Sequence, residues 1–379
     1  MKTMLRKSTG RTPLLVGLAL VALTCTVCAF PYLPLRGRSA NTGASAGAFG
    51  EAQTFEDYYK GFFSPSGNLL ALMAKGRVDI VEISTRRKVS SIALAKSVLL
   101  GAAFSPDGRL LALSYRGADS VGRVGLWESA TGKEVLKLSA TDQDWRRNLE
   151  DLSFSASGQT LATNIGGVAR LWDVSTGSEL KRFSLSNATV DAISAERVLL
   201  SPDGRWLAAH MKAQGQGRHY DAVHVWETST GRDRKLETNV YRDWRFSPDS
   251  KMLVLTAVTD NGKPTERSAV EVWETGSWQR NRVFDVPRSW QGAFTLTSSP
   301  DGTLLAVGGR RGFGIFSLRT GHLLAEGSHS QTTSGRGSEM TYDLSRIEFS
   351  PDGRRLLTAG NEGFVKIWKA DGALAGKAF

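Results

Sequence analysis

Near its C-terminus the chain reads FSPDGRRLLTAGNEGFVKIWKADG, Phe349 to Gly372, and far upstream it reads FSPDGRLLALSYRGADSVGRVGLWESATG, Phe104 to Gly132. Related phrases begin at Phe63 (FSPSG), Phe154 (FSASG), Leu200 (LSPDG), Phe246 (FSPDS) and Ser298 (SSPDG), and the seven starts are 41, 50, 46, 46, 52 and 51 residues apart. A unit recurring at this interval marks a repeat architecture, which decides the fold before any local propensity does.

Every repeat has the same grammar. Pro fixes φ, Asp bonds backbone ahead of it and Gly accepts positive φ, so the phrase is a tight hairpin turn. A second apolar run follows, such as LLALSY after Arg109, and then a third with period-2 alternation, such as VGLWES from Val124. Alternation at period 2 predicts strands. A short polar turn and a fourth segment, such as KEVLKLSA from Lys133, complete four antiparallel strands per unit. One such sheet cannot cover both its faces, whereas seven can by stacking around a common axis.

In its third-strand tryptophans, Trp127, Trp172, Trp226, Trp273 and Trp368, the chain resembles the WD-repeat family of seven-bladed β-propellers. The resemblance implies an all-β fold over residues 56–379, with the first and sixth repeats placing Val81 and Phe316 at the tryptophan position. Trp172-Asp173 is the one literal Trp-Asp pair, no repeat carries the Gly-His pair, and Glu362 is the nearest match to the family's Asp between strands two and three. Residues 373–379, ALAGKAF, align with the fourth strand of other repeats and are expected to complete the last blade, the rival being a strand from residues 49–56.

The formal charge is +11, but residues 1–50 hold six basic side chains and no acid, leaving 42 basic against 37 acidic residues elsewhere. No basic run appears in the repeats, so nucleic acid is not an expected partner. Four basic residues precede the uncharged stretch Thr12 to Leu35, which marks residues 1–35 as a targeting segment. Two versions compete. Val27-Cys28-Ala29 offers small residues for signal-peptide cleavage, whereas an apolar stretch near the roughly 20 residues of a spanning helix favours a retained anchor. With its basic residues mostly before the stretch, the N-terminus is expected in the cytoplasm and the repeats outside it. Residues 36–55 read as a flexible linker. Both cysteines, Cys25 and Cys28, fall inside the apolar stretch, where the C-x-x-C spacing has no partner pair, so the repeats need no disulfide.

The sequence contains no phosphate loop, nucleophile elbow or H-E-x-x-H. His210, His219 and His224 match no metal spacing, and the recurring turn aspartates (Asp107, Asp203, Asp249, Asp301, Asp352) recur because the turn does. No catalytic residue, metal or cofactor is therefore expected. The turn connections are short in all repeats, whereas length varies between strands two and three and between strand four and the next repeat. Those two connection types open on one end of the ring, and loops on a rigid scaffold carry binding function. Trp145, Arg147, Tyr220, Trp290, Arg310 and Arg311 lie in or beside them, residue types that dominate protein interfaces. Trp145 or Trp290 folding back as a cap over a neighbouring blade is the alternative for the aromatics, while Trp206 and Trp244 read as core. The expected function is a non-catalytic scaffold, exported, membrane-tethered and monomeric, binding a protein or peptide on its loop-rich face. The alternative is a lactonase- or hydrolase-like enzyme with its site at the channel mouth.

Overall fold

The computed structural model describes residues 53–138, 151–165, 168–184, 194–215, 218–236, 241–259, 267–328, 344–360 and 364–370. Among them are seven four-stranded antiparallel sheets. Blade 1 is built from Lys60–Phe63, Leu69–Ala74, Arg77–Glu82 and Lys88–Ala93, hydrogen-bonded in that order. The innermost strands of blades 2 to 7 begin at Val98, Leu152, Ser194, Tyr241, Thr295 and Leu344. Second and third strands are buried along nearly their whole length and pack against the neighbouring blades, whereas fourth strands alternate between buried and exposed residues. The chain is an all-β, seven-bladed propeller, as the repeat interval predicts.

Ring closure differs from the sequence expectation. Among the described residues blade 7 supplies three strands of its own, and Gln53–Glu56 takes its outer place, pairing Phe55 with Val365 and Thr54 with Lys366. Residues 373–379, expected in that position, lie outside the described residues. The physical reason is legible in Phe55, which is buried against Phe63, Val81, Val365 and Ile367 and so joins blade 7 to blade 1. This strand begins within the stretch read from sequence as linker.

The turn phrase works through a residue that sequence reasoning passes over. Its serine is buried in all seven blades, from Ser64 to Ser350. The hydroxyl of Ser105 accepts the N–H of Leu110 (2.9 Å) and donates to Asp107 (2.6 Å), whose carboxylate also accepts the N–H of Arg109 (3.0 Å). Gly108, at φ 72°, closes the turn by donating to the Ser105 carbonyl. The turns also meet each other: a Cβ on Gly67 would stand 3.2 Å from Pro351 of blade 7, and one on Gly158 would stand 3.4 Å from Pro106 of blade 2. Proline of one blade stands against glycine of the next at five of the seven junctions, while Gly204 faces Ser155 and blade 5 carries Ser250 at the glycine position.

Third and fourth strands are clamped by side-chain pairs nine residues apart. Asp79 meets Lys88 (3.0 Å), Arg170 meets Glu179 (2.6 Å), His224 meets Asp233 (3.1 Å) and Glu271 meets Arg280 (2.8 Å). In each pair the third-strand member is buried and its partner lies on the more exposed fourth strand. Blades 2 and 6 have glycine there. Trp127 lies over Gly125 and Trp290 over Gly314, where a Cβ would approach the indoles within 2.8 and 2.6 Å. Three tryptophan N–H groups are also satisfied within their blades: Trp172 donates to Thr163, Trp368 to Thr358 and Trp273 to Glu271.

Two outcomes follow for stability. Truncating Phe55 to alanine should cost about 3–5 kcal/mol, the usual cost for a buried phenylalanine, whereas deleting residues 373–379 should leave the melting temperature nearly unchanged. Asp79 carries the second. Burial alone would raise its pKa, but hydrogen bonds from Ser91, Tyr58, Arg77 and Lys88 lower it from 3.8 to about 2. A depressed carboxylate pKa contributes stability above the unfolded value and loses it as pH falls through the folded one. The unfolding free energy should therefore drop by about 2 kcal/mol between pH 4 and pH 2, and D79N should remove that part of the acid dependence in denaturant titrations.

Candidate functional site

The two ends of the ring differ in construction. At the end opposite the turn phrases, the hairpin between the second and third strands of blade 4 is the longest among the described residues, Trp206–Gly215 against Arg218–Glu227. Its pairing runs out to Gly215 and Arg218. The insertion read from sequence as a loop is thus continued ladder, since the two flanks can satisfy each other's backbone groups. Tyr220 and His219 lie on it, opposite Ala213 and Gln214. In blade 2 the tip between Arg116 and Gly122 is pinned by Asp119, which accepts from Arg123 and from the Val121 N–H. Arg123 holds the Asp119 carboxyl well below the usual carboxylate range, aided by that backbone bond.

Blade 6 gathers three of the residues singled out from sequence. Arg310 and Arg311 are exposed at the tip between its second and third strands. The Arg311 N–H donates to the Trp290 carbonyl (3.0 Å). Trp290 itself must be corrected as an expected partner contact: it is 4% exposed, packed edge-on to Phe316. Its indole fills a slot floored by Gly312 and Gly314, where no side chain would fit. Trp290 is the cap that the small residues around it were shaped to receive. Trp145 and Arg147 lie outside the described residues. Trp244 is core, as read from sequence, and Trp206 is half-buried edge-on to Trp278 at 5.0 Å.

Sequence reasoning named the channel mouth but missed the residues lining the central channel, a cavity of about 570 Å³ bounded by the innermost strands. Three residues before each turn phrase stand Lys60, Gly101, Asp151, Arg197, Asp243, Thr295 and Arg346. In blades 2, 4, 5 and 7 a register shift in the ladder ends at or beside this position, the kind of bulge that re-aims a side chain. The signal was a column of mixed charges at a fixed offset from the phrase, hidden because no single pair of neighbours repeats.

These residues link blades around the channel. Arg197 of blade 4 bonds Asp151 of blade 3 (2.8 Å) and Asp243 of blade 5 (3.0 Å). Asp243 also accepts from Arg245 (2.8 Å), from the Thr295 hydroxyl and from the Leu296 N–H of blade 6. Lys60 of blade 1 donates to the Leu100 carbonyl of blade 2 (2.9 Å), and the Arg346 guanidinium of blade 7 lies 3.9 Å from the Phe62 ring centre. Arg346 also pairs with Glu348 (2.8 Å). Burial works against the charge on Asp243, yet Arg197 and Arg245 outweigh it and lower its pKa. A carboxylate held ionised in this way supplies no general acid near neutral pH. Among the described residues no three His, Cys, Asp or Glu side chains are placed to hold a metal ion. His210 and His224 are buried, and burial lowers the His224 pKa despite Asp233.

Residues 329–369, spanning the last repeat, match the family model described as WD domain, G-beta repeat. The chain is also similar to Protein HIR1 of Eremothecium gossypii, 24% identical over 266 residues that cover 59% of this chain and 30% of that protein. The chain thus matches under a third of the length of this relative. The seven blades make the chain a β-propeller, and its last repeat is similar to the WD domain.

Trp290 and Arg310 give a paired test of the geometry. Trp290→Ala should lower stability by about 3–5 kcal/mol, because the glycine slot cannot collapse around the missing indole. Arg310→Ala should stay within about 0.5 kcal/mol of the parent, as exposed substitutions do. Equilibrium urea unfolding measures both.

Proposed function

We propose that this propeller is an exported protein-interaction scaffold, tethered to a membrane by its N-terminal segment, that binds a protein or peptide on the end opposite the turn phrases. A WD-repeat propeller points to a non-enzymatic scaffold for protein partners. The observation that carries the choice of end is the asymmetry of the ring. One rim is packed through buried serines, with proline–glycine contacts at five of its seven junctions. The other bears the extended blade 4 hairpin and the exposed Arg310 and Arg311. Loops held by a rigid scaffold are where recognition concentrates.

Tethering rests on the uncharged stretch Thr12 to Leu35 and its preceding basic residues. No helix among the described residues is long and apolar enough to cross a membrane, and Thr12 to Leu35 lies outside them. A phosphatase that is active only after export, fused after Gly50, should be active. A silent phosphatase with an active cytoplasmic reporter at the same site would reverse the orientation.

Partner capture from envelope extract tests the binding end. Alanine at Arg147, Tyr220, Arg310 and Arg311 should weaken capture, a true anchor costing on the order of 2 kcal/mol or more. Substitutions at Asp107 or Asp301, in the turns, should lower the melting temperature while leaving intrinsic affinity unchanged. If the four loop-end changes leave capture intact and a turn change abolishes it in a folded chain, the binding end is the other one.

A further inference from the structure

Blade 4 leaves a strand edge open. In the other blades the outer strand follows the third strand to within two residues of its start at the loop-bearing end, as where Phe183 stands opposite Ala169 and Leu138 opposite Val124. In blade 4 the outer strand, Asp233–Lys235, pairs only as far as His224, and the Leu236 N–H closes the ladder on the Val223 carbonyl (2.9 Å). Among the described residues no strand pairs with the outer edge of the third strand from Arg218 to Ala222. Two bonds show which way each residue turns its backbone. The Val223 carbonyl faces the outer strand, whereas the Thr228 N–H donates to the Arg205 carbonyl (2.9 Å) on the side of the second strand. Backbone groups alternate sides along a strand, and the ladder with Trp206–Gly215 runs without a register shift. His219 and Asp221 therefore turn their N–H and C=O groups to the open edge. Such an edge is a template for a further strand.

We infer that this edge pairs with the same edge of a second copy of the chain, in an antiparallel ladder centred on Tyr220. The inference goes beyond the capture of a partner proposed above and does not depend on it. A two-fold axis makes such a contact self-complementary, and the sequence Arg218-His219-Tyr220-Asp221-Ala222 suits one. With Tyr220 opposite its own copy, His219 of each chain stands opposite Asp221 of the other. All four outward backbone groups on each chain then find partners, because two outward-turned residues face each other on either side of the axis. The register also sets an imidazole opposite a carboxylate on both sides of an aromatic pair, the kinds of cross-strand pair that stabilise antiparallel ladders. A slip of one residue brings inward-bonded residues opposite outward ones. Pairing His219 or Asp221 with its own copy sets like groups face to face, which is unfavourable. Nothing in composition marks an unpaired strand edge, which is why the sequence alone points to a monomer.

A few backbone bonds make a weak, reversible contact, so the test traps it covalently. Single cysteines are placed in the full chain with Cys25 and Cys28 replaced by serine, oxidised glutathione is added, and the linked dimer is measured on a non-reducing gel. Copies of Tyr220 would form a non-hydrogen-bonded pair with Cα atoms about 4.5 Å apart, inside the disulfide range of roughly 4.4–6.8 Å. Copies of Arg218 would lie four residues out of register, about 13 Å apart. Tyr220→Cys should therefore yield about tenfold more dimer than Arg218→Cys. His219→Cys and Asp221→Cys should each link poorly alone, their copies being about 7–8 Å apart, and should link well when the two variants are mixed. That mixture carries the test if Tyr220→Cys fails to fold. In the Tyr220→Cys chain, His219→Asp should lower the yield by setting two aspartates opposite each other, and adding Asp221→His should restore it. Arg310→Ala should leave the yield unchanged, which separates this contact from partner capture. Equal dimer from Arg218→Cys and Tyr220→Cys would mean random collision and overturns the inference. So does a mixture of His219→Cys with Asp221→Cys that links no better than either alone. Absence of dimer from every folded variant also overturns it, since the edge would then belong to another occupant.

Discussion

Four residue pairs, Gln53 with Ile367, Thr54 with Lys366, Phe55 with Val365 and Glu56 with Phe364, bring the two ends of the propeller together. Everything else in the ring depends on that ladder. Each blade buries its faces against two neighbours, and a ring left open between blades 7 and 1 would expose the cluster of Phe55, Phe63, Leu70, Leu357 and Val365 on both sides of the gap. Closure also converts local turns into a rim. Gly67 of blade 1 meets Pro351 of blade 7 only because the first and last repeats are adjacent in space.

Rigidity then divides the ring into two ends with different chemistry. Buried serines, with proline–glycine contacts at five of the seven junctions, fix the turn end, leaving little freedom there for loops to vary. The opposite end takes up the length variation and the channel's charges. Its ion pairs run between blades, Asp151 to Arg197 to Asp243, so the channel is both a set of struts and a patterned surface. Within the blades, strand pairs hold their outer edges through buried charges nine residues apart, with the sign reversed from Asp79–Lys88 to Arg170–Glu179.

The seven-fold plan was legible in the sequence because the turn phrase and the third-strand aromatic recur at fixed offsets. Closure was not, since local alignment favours ALAGKAF at the C-terminus and says nothing of Phe55 reaching the core across the whole chain. The ion-pair column was hidden for a different reason: Asp79, Arg170, His224 and Glu271 share a position and no chemistry, so only the geometry shows that they do one job. Trp290 misled because an arginine-flanked tryptophan before a strand resembles an interface anchor. Its burial depends on Gly312 and Gly314, more than twenty residues downstream. The channel cations Lys60, Arg197, Arg245 and Arg346 come from four different blades, and their convergence is a property of the ring alone.

The proposed division of the ring into a packed turn end and a recognition end is tested most directly by amide hydrogen exchange of the full chain with and without its captured partner. The account predicts slowed exchange at residues 309–312, along Trp206–Gly215 and Arg218–Glu227 near their tip, and at the start of the innermost strands around Lys60 and Arg346. Exchange at the turns, from Ser64 to Gly67 through Ser350 to Gly353, should be the same in both states. Protection confined to those turns, with the opposite end unchanged, would contradict it.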